Sequence, residues 1–465
     1  MEDRTRGERE ALSGGIAVRS RRVLLVNPPS EPGTTANREG AAGLGNVYSS
    51  EGAFLYPPHT LAVVAAVLRR AGWVPELVDA VVDGLGMEAL ASRAADSACT
   101  VIGVFVSFAT LEQDVATLQQ LRRACPETPI LVFGPAVRFV DSEVWERSGA
   151  TAALRGEPER LFLAACERLA AGEELPLLAG AQELDVAGYD GDGWLLDLEA
   201  LPHPAWDLLP WRKYRFLSVL SSRGCDDRCA YCPYVAAQGQ RYRPRAASGV
   251  VAELGWLVEH FEPSRIVFRD PVFARDRQRV ADMCAEIMTR PELGAGSRFT
   301  WECESRPEHF DAELLESMRR AGCGWIKIGL ESTDERVLGS SMRLGPGESR
   351  DAYVARAAEV VRACGEVGIR CRVFVMVGLP GQTEASAAQT ATLLRRMRPT
   401  ALGVKALHSY PGSRWGAEAV LGEDNTVSAQ AQPLLELKNE LERSAAGGRR
   451  SWLRSLRNRL RERWK

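Results

Sequence analysis

The feature that most restricts this chain is a twice-repeated alternation of short apolar strands with amphipathic helical stretches. In the first series, RRVLLVNPP at 21–29, WVPELVDA, CTVIGVFVSF and PILVFGP read as strands, with helical patterns at about 60–70, 84–95 and 111–124 between them. Strands this apolar on both faces belong in a parallel sheet covered by helices. Residues 20–175 are therefore expected to form a doubly wound, Rossmann-like unit, with Gly72 ending its first helix. Ligands of such sheets sit beyond the carboxyl ends of the strands. Asn27 to Ser30, Asp79, Ser107 to Thr110 and Gly134 to Arg138 should thus surround one crevice. No GxGxxG follows the first strand, so the crevice could equally be a packing surface.

The second series starts at Phe216 to Leu220. Helix 247–262 leads to strand SRIVFRD, helix 276–290 to RFTWECE and helix 309–321 to WIKIGLE. Helical stretches within 334–366 precede IRCRVFVMVG, and helix 384–397 precedes ALGVKALHSY. Six strands alternating with helices predict a partial (β/α)6 barrel over 210–410 whose strand ends converge on one opening. Residues 176–209, rich in glycine, proline and acidic side chains, read as a linker. Residues 411–465 read as a basic helical extension, with Trp452, Leu453, Leu456 and Leu460 forming an apolar stripe that would pack on the barrel.

The formal net charge of -3 gives no global field for nucleic acid, and no run approaches the roughly 18 apolar residues of a membrane span. Nucleic-acid and membrane partners are therefore not expected. Eleven cysteines, an odd number, argue against a paired secreted framework and for reduced thiols in the cytoplasm. Three of them stand in one loop, SSRGCDDRCAYCPY, as Cys225, Cys229 and Cys232. Zinc would need a fourth ligand, which the neighbouring sequence lacks. Three thiolates suit a [4Fe-4S] cluster with one iron left open.

On this CxxxCxxC motif and the barrel around it, residues 210–410 resemble the radical S-adenosylmethionine (SAM) superfamily. The resemblance implies that Cys225, Cys229 and Cys232 hold a [4Fe-4S] cluster whose open iron chelates SAM. It places Tyr231 on the adenine side and Asp270 at the SAM amino group, although the common GGE triplet is missing. Glu302, Glu304 or Glu331 would meet the ribose hydroxyls, and VGLPGQTE would lay the backbone of Gly378 and Pro380 against adenine. Arg372, with Lys327, Lys405 and His408, would meet the SAM carboxylate or the substrate. Each of these residues also has a plainer reading as a turn, a rim charge or a paired ion. The other cysteines read as core, with Cys303, Cys323 and Cys371 expected nearest the mouth.

The domain order, together with YPPHTLAVVAAVLRRAG, resembles the cobalamin-binding subclass. VDAVVDGLG contains no DxHxxG, so the usual histidine ligand to cobalt is absent and cobalamin stays an open expectation. The first expectation is dehydration, because the CPYVAAQGQRYRPR and DPVF segments resemble radical SAM dehydratases of aminoglycoside biosynthesis. There a 5'-deoxyadenosyl radical would remove the C4' hydrogen of a substrate such as paromamine, and the C3' hydroxyl would leave to give a ketone. Glu302, Glu304, Tyr214 and His408 are the candidate acid, base or cation-binding groups. A one-electron donor such as flavodoxin or ferredoxin is implied, with an NADPH-dependent reductase acting on the product. The alternative is cobalamin-dependent C-methylation in natural-product biosynthesis.

Overall fold

The computed structural model describes residues 21–50, 55–293, 299–415 and 429–444. The stripe from Trp452 to Leu460 lies outside the described residues. Strands β1 (Arg22–Asn27), β4 (Val74–Asp79), β5 (Val101–Phe105), β6 (Ile130–Phe133), β7 (Ala152–Leu154) and β8 (Leu178–Ala179) form one parallel sheet in the order β4-β1-β5-β6-β7-β8. A hairpin of β2 (Thr34–Asn37) and β3 (Asn46–Ser49) stands above it. The first helix, His59–Arg70, ends where expected, with Gly72 just beyond it at a φ of 82°. The strand order reverses between β1 and β5, which places the crevice of the doubly wound sheet at that point.

The second parallel sheet runs β9 (Leu217–Val219), β12 (Ile266–Phe268), β13 (Trp301–Ser305), β14 (Cys323–Glu331), β15 (Arg370–Val377) and β16 (Ala401–Ala406), each beside its predecessor. A short antiparallel pair, β10 (Ser222–Arg223) and β11 (Arg243–Pro244), brackets the cysteine loop. Burial alternates along β15: Cys371, Val373, Val375 and Val377 are buried against helices, while Arg372, Phe374 and Met376 are half-buried on the concave side. That period of two separates the core of the half-barrel from its lumen. Cys303, Cys323 and Cys371 fall on the core side, buried, so the structure takes them away from the mouth.

The segment read as a linker is built into the fold. Leu178–Ala179 adds the sixth strand of the first sheet, and Trp206 is fully buried in a cluster that also holds Phe162, Leu254 and Trp301. The two halves therefore share one core. Polar ties reinforce it. The Glu157 carboxylate binds Arg243 at 2.7 Å and Arg223 at 3.3 Å, and Glu159 binds Arg223 at 2.6 Å, with all four side chains below one-tenth exposed. Burial opposes ionisation of Glu157, but the guanidinia of Arg223 and Arg243 outweigh it and hold the carboxyl below its ordinary value.

Removing one member of such a group leaves uncompensated buried charge. Glu157→Ala should cost about 3–5 kcal/mol, whereas Arg69→Ala, which breaks the half-exposed pair with Asp207, should cost about 0–1 kcal/mol. Denaturation midpoints of the full chain would check this contrast.

His59 gives a second expectation. Its Nδ1 lies 3.2 Å from the Ser218 carbonyl oxygen, and burial, then Arg269 and Arg223, hold its pKa well below 6.5. The folded chain keeps it neutral while the unfolded chain takes up a proton below about pH 6.5, so its contribution is present above that pH and lost on acidification. The loss of thermal stability between about pH 7.5 and 5.5 should be smaller in His59→Gln. Equal slopes in the two proteins would contradict it.

Candidate active site

The cysteine loop is fixed before its first sulfur. Gly224 has a φ of 75°, and a Cβ there would meet the Arg241 carbonyl oxygen at 2.0 Å, so only glycine passes. Cys225 N–H donates to Gly239 O at 3.1 Å, Ala230 N–H to Ser341 O at 3.0 Å, and Trp415 N–H to Ala230 O at 2.9 Å. Cys229 and Tyr231 pack with Val337, Leu379, Leu407 and Trp415, and Cys232 lies against this cluster. Burial, then the Asp227 carboxylate, pushes the Cys225 thiol up to about 12, and burial with neighbouring Cys229 also raises Cys232.

Three cysteine thiols on one loop match the thiolate ligand set of an iron-sulfur cluster. Among the described residues, no group of three His, Cys, Asp or Glu side chains could hold one metal ion. Arg306 and Arg343 each aim a guanidinium at Cys229 Sγ, at 3.9 and 3.6 Å. The Tyr231 hydroxyl is buried beside the Glu331 carboxylate.

Glu331 ends β14 at a φ of 64°, a left-handed conformation that disfavours any residue with a Cβ. The register with β15 shifts between Gly329 and Glu331, and a Cβ on Gly329 would lie 2.2 Å from Glu331 Oε1 and 3.0 Å from Arg343 Nη2. The bulge and the glycine together turn this carboxylate toward the cysteine side. Burial raises its pKa and Arg343 opposes that. Strain of this kind, about 1–3 kcal/mol, persists where the surroundings over-determine it.

The loop after β15 is held by its own turn and by helix 429–444. Gln430, buried, accepts from Gly378 N–H at 2.8 Å and donates to Gln382 O at 3.0 Å. Gln382 in turn caps Leu379 N–H at 3.3 Å and reaches Met376 O at 3.0 Å. Leu379 thereby enters the cysteine cluster, while Pro380 stays exposed. The sequence carried no signal for Gln430, which lies 52 residues from its partner.

Glu304, half-buried, makes no side-chain hydrogen bond or ion pair among the described residues. It is close enough to Tyr56 and Tyr234 to act electrostatically on both, as do the guanidinium of Arg269 and, on Tyr56, Lys405. Arg269 is itself tied to Glu39 at 3.1 Å, clasping the loop before the hairpin's second strand.

Several sequence-based candidates are placed elsewhere. Tyr214 donates to Asp79 Oδ2 at 2.6 Å at the end of β4, so it belongs to the first sheet and burial with that carboxylate drives its pKa up. Glu302 is neutralised by Lys327 at 2.8 Å and Arg265 at 3.2 Å in the amino-terminal half of the lumen, and these cations lower its pKa against burial. Arg372 lies level with Lys327 and over the Trp325 ring at 5.4 Å, again away from the cysteines. Asp270, buried, ties down the start of the loop: it accepts from Ser221 N–H at 2.7 Å, Ser222 Oγ at 3.0 Å and the Ser221 hydroxyl. His408 is exposed on the rim beside Tyr410, with ring centroids 6.3 Å apart.

The crevice of the first sheet holds a cavity of about 330 Å³ between Pro29–Ser30 and Phe108–Gln113. Val47 and Phe108, two of the exposed large apolar residues, line it. Its floor is the buried pair of Arg38 and Asp114 at 2.6 Å. The hairpin beside it reaches the barrel, where the Tyr410 hydroxyl lies 3.1 Å from Gly45 O and 2.9 Å from the Asn46 side-chain amide.

Residues 219–394 match the sequence model of the Radical SAM superfamily. An "uncharacterized methyltransferase" of Pyrococcus horikoshii is 24% identical over 404 residues, covering 84% of this chain and 82% of the relative. The radical SAM methyltransferase TsrM from Kitasatospora setae, solved with cobalamin and a [4Fe-4S] cluster, aligns with a TM-score of 0.66 at 19% identity over 86% of this chain and 77% of its own. The cobalamin-dependent SAM radical enzyme OxsB, solved with aqua-cobalamin, aligns with a TM-score of 0.61 at 18% identity over 88% of this chain but only 56% of its own. The α/β architecture of a parallel crevice-bearing sheet followed by a barrel is thus shared with both. None of these relatives is named as a dehydratase, and the first expectation from the sequence gains no support from them. No helix among the described residues is long and apolar enough to cross a membrane.

Replacing Cys225, Cys229 or Cys232 by alanine should abolish iron-sulfur absorption in reconstituted protein while leaving it soluble. Soluble variants that keep the full absorption band would remove those residues as ligands. Gly329→Ala should displace Glu331 and weaken SAM binding at least tenfold with the cluster retained, measurable by equilibrium dialysis.

Proposed function

We propose that this chain is a cobalamin-dependent radical SAM methyltransferase acting on a small molecule. The observation that carries the reading is the pairing, in one core, of a three-cysteine barrel loop with an open crevice lined by exposed Val47 and Phe108. When bound, the cluster and SAM supply a 5'-deoxyadenosyl radical, and cobalamin supplies a transferable methyl group.

The chain's own residues would divide the work. Cys225, Cys229 and Cys232 hold the cluster, and Tyr231 with the Gly378–Leu379 backbone faces the nucleoside side of SAM. Glu331 is aimed by its bulge at a ribose hydroxyl. Glu304, Tyr56 and Tyr234 offer the substrate a carboxylate and phenol groups, and the clasp of Glu39 on Arg269 keeps the crevice loop beside them. In the crevice, an apolar ledge over a neutral Arg38–Asp114 floor suits the broad face of a corrin held without a histidine ligand. An external one-electron donor would reduce the cluster.

The test is anaerobic purification from cells supplied with cobalamin, followed by incubation with CD3-labelled SAM and a reductant. Stoichiometric corrin, labelled methyl on cobalt and release of 5'-deoxyadenosine are expected. Protein that forms a cluster and cleaves SAM but never retains corrin would sink the methyltransferase reading.

A further inference from the structure

Arg343 is 5% exposed, yet no carboxylate among the described residues lies within ion-pair distance of it. Its guanidinium donates to the Tyr353 hydroxyl at 2.8 Å, Gly329 O at 2.6 Å and Cys229 Sγ at 3.6 Å. Glu331 is the nearest carboxylate and acts on it from beyond ion-pair distance. Arg306, 7% exposed, brings a second guanidinium to the same sulfur at 3.9 Å. It is held there by Asp227 at 3.1 Å, by Glu308, and by donation to Arg343 O at 2.7 Å.

A buried cation without a counter-charge is among the costliest arrangements a fold can contain, and two like charges converging on one sulfur add repulsion. The arrangement makes sense if an anion completes it. Three cysteinates on an oxidised four-iron core leave a net single negative charge, and uptake of one electron makes it double. The more negative state gains more from a fixed positive neighbour and from N–H donors to the ligating sulfur.

We propose that Arg343, with Arg306 behind it, is the built-in counter-charge of the cluster and raises its reduction potential through the Cys229 sulfur. The electron arrives singly from the external donor, and no proton moves with it. Arg343 is in this sense a positioning and tuning residue, and the inference rests on the cluster reading above.

The experiment is a redox titration of the reconstituted full chain, without SAM, monitored by electron paramagnetic resonance. Arg343→Gln should lower the reduced-to-oxidised ratio at fixed potential at least tenfold, equivalent to 59 mV for one electron. Arg343→Lys keeps the charge and should shift the ratio less than threefold. If Arg343→Gln does not hold a cluster, Arg306→Gln is read in the same way and should shift in the same direction. A loaded glutamine variant with the wild-type midpoint overturns the inference. Wild-type protein that never forms a cluster would overturn the cluster reading instead, so the two failures are distinguishable.

Discussion

Two residues before Cys225, the Arg223 guanidinium is buried between Glu157 and Glu159, both from the start of the helix that follows β7. The cysteine loop is therefore fastened to the first sheet and not only to its own barrel. Arg243, on the returning strand of the β10–β11 pair, binds the same Glu157. Both ends of the loop are thus referenced to one carboxylate of the other half. Whatever is bound in the crevice and whatever is bound at the cysteines stand at a distance set by this ion group and by the shared core around Trp206. Four buried charges are poor stabilisers compared with apolar packing, but they fix register, because each has acceptable partners in only one geometry.

The lumen of the half-barrel is graded by how its charges are used. Near the amino ends, the Glu302 carboxylate is committed to Lys327 and Arg265. At the carboxyl ends, Asp270 is consumed holding Ser221 and Ser222, and Arg306 and Arg343 surround Cys229. Between these layers Glu304 makes no side-chain hydrogen bond or ion pair among the described residues, and it lies close enough to Tyr56 and Tyr234 to act on both. A half-buried carboxylate that the surrounding protein does not satisfy keeps its acceptor capacity available in the lumen.

The repeating part of this architecture was legible because its signals are local. Strand runs such as CTVIGVFVSF and helix spans such as 111–124 are stated within a dozen residues, and the CxxxCxxC spacing lies within one loop. The misplacements have the opposite character. Tyr214 pairs with Asp79 across 135 residues, Glu302 with Lys327 across 25, and Arg343 with Cys229 across 114. No periodicity records which of several strand-end charges will meet, and a glutamate committed to a lysine looks, in sequence, the same as one left free. Residues 176–209 misled differently: their low periodicity reflects irregular backbone, while Leu178 and Trp206 supply the anchors that bury it.

The missing DxHxxG bears on how a corrin could be held at all. A coordinate bond from histidine fixes cobalt by one strong contact, so the surrounding crevice need not be exacting. Without it, retention depends on apolar area and shape. Val47 and Phe108 line the crevice with 45% and 37% of their surface exposed, above the buried Arg38–Asp114 pair. Val47 and Phe108 are each already more than half buried, so covering what remains would contribute less than the roughly 1.5–3 kcal/mol of a fully buried side chain. A corrin bound there without a histidine would therefore depend on contact of its whole face with the crevice, the two side chains supplying only part of it.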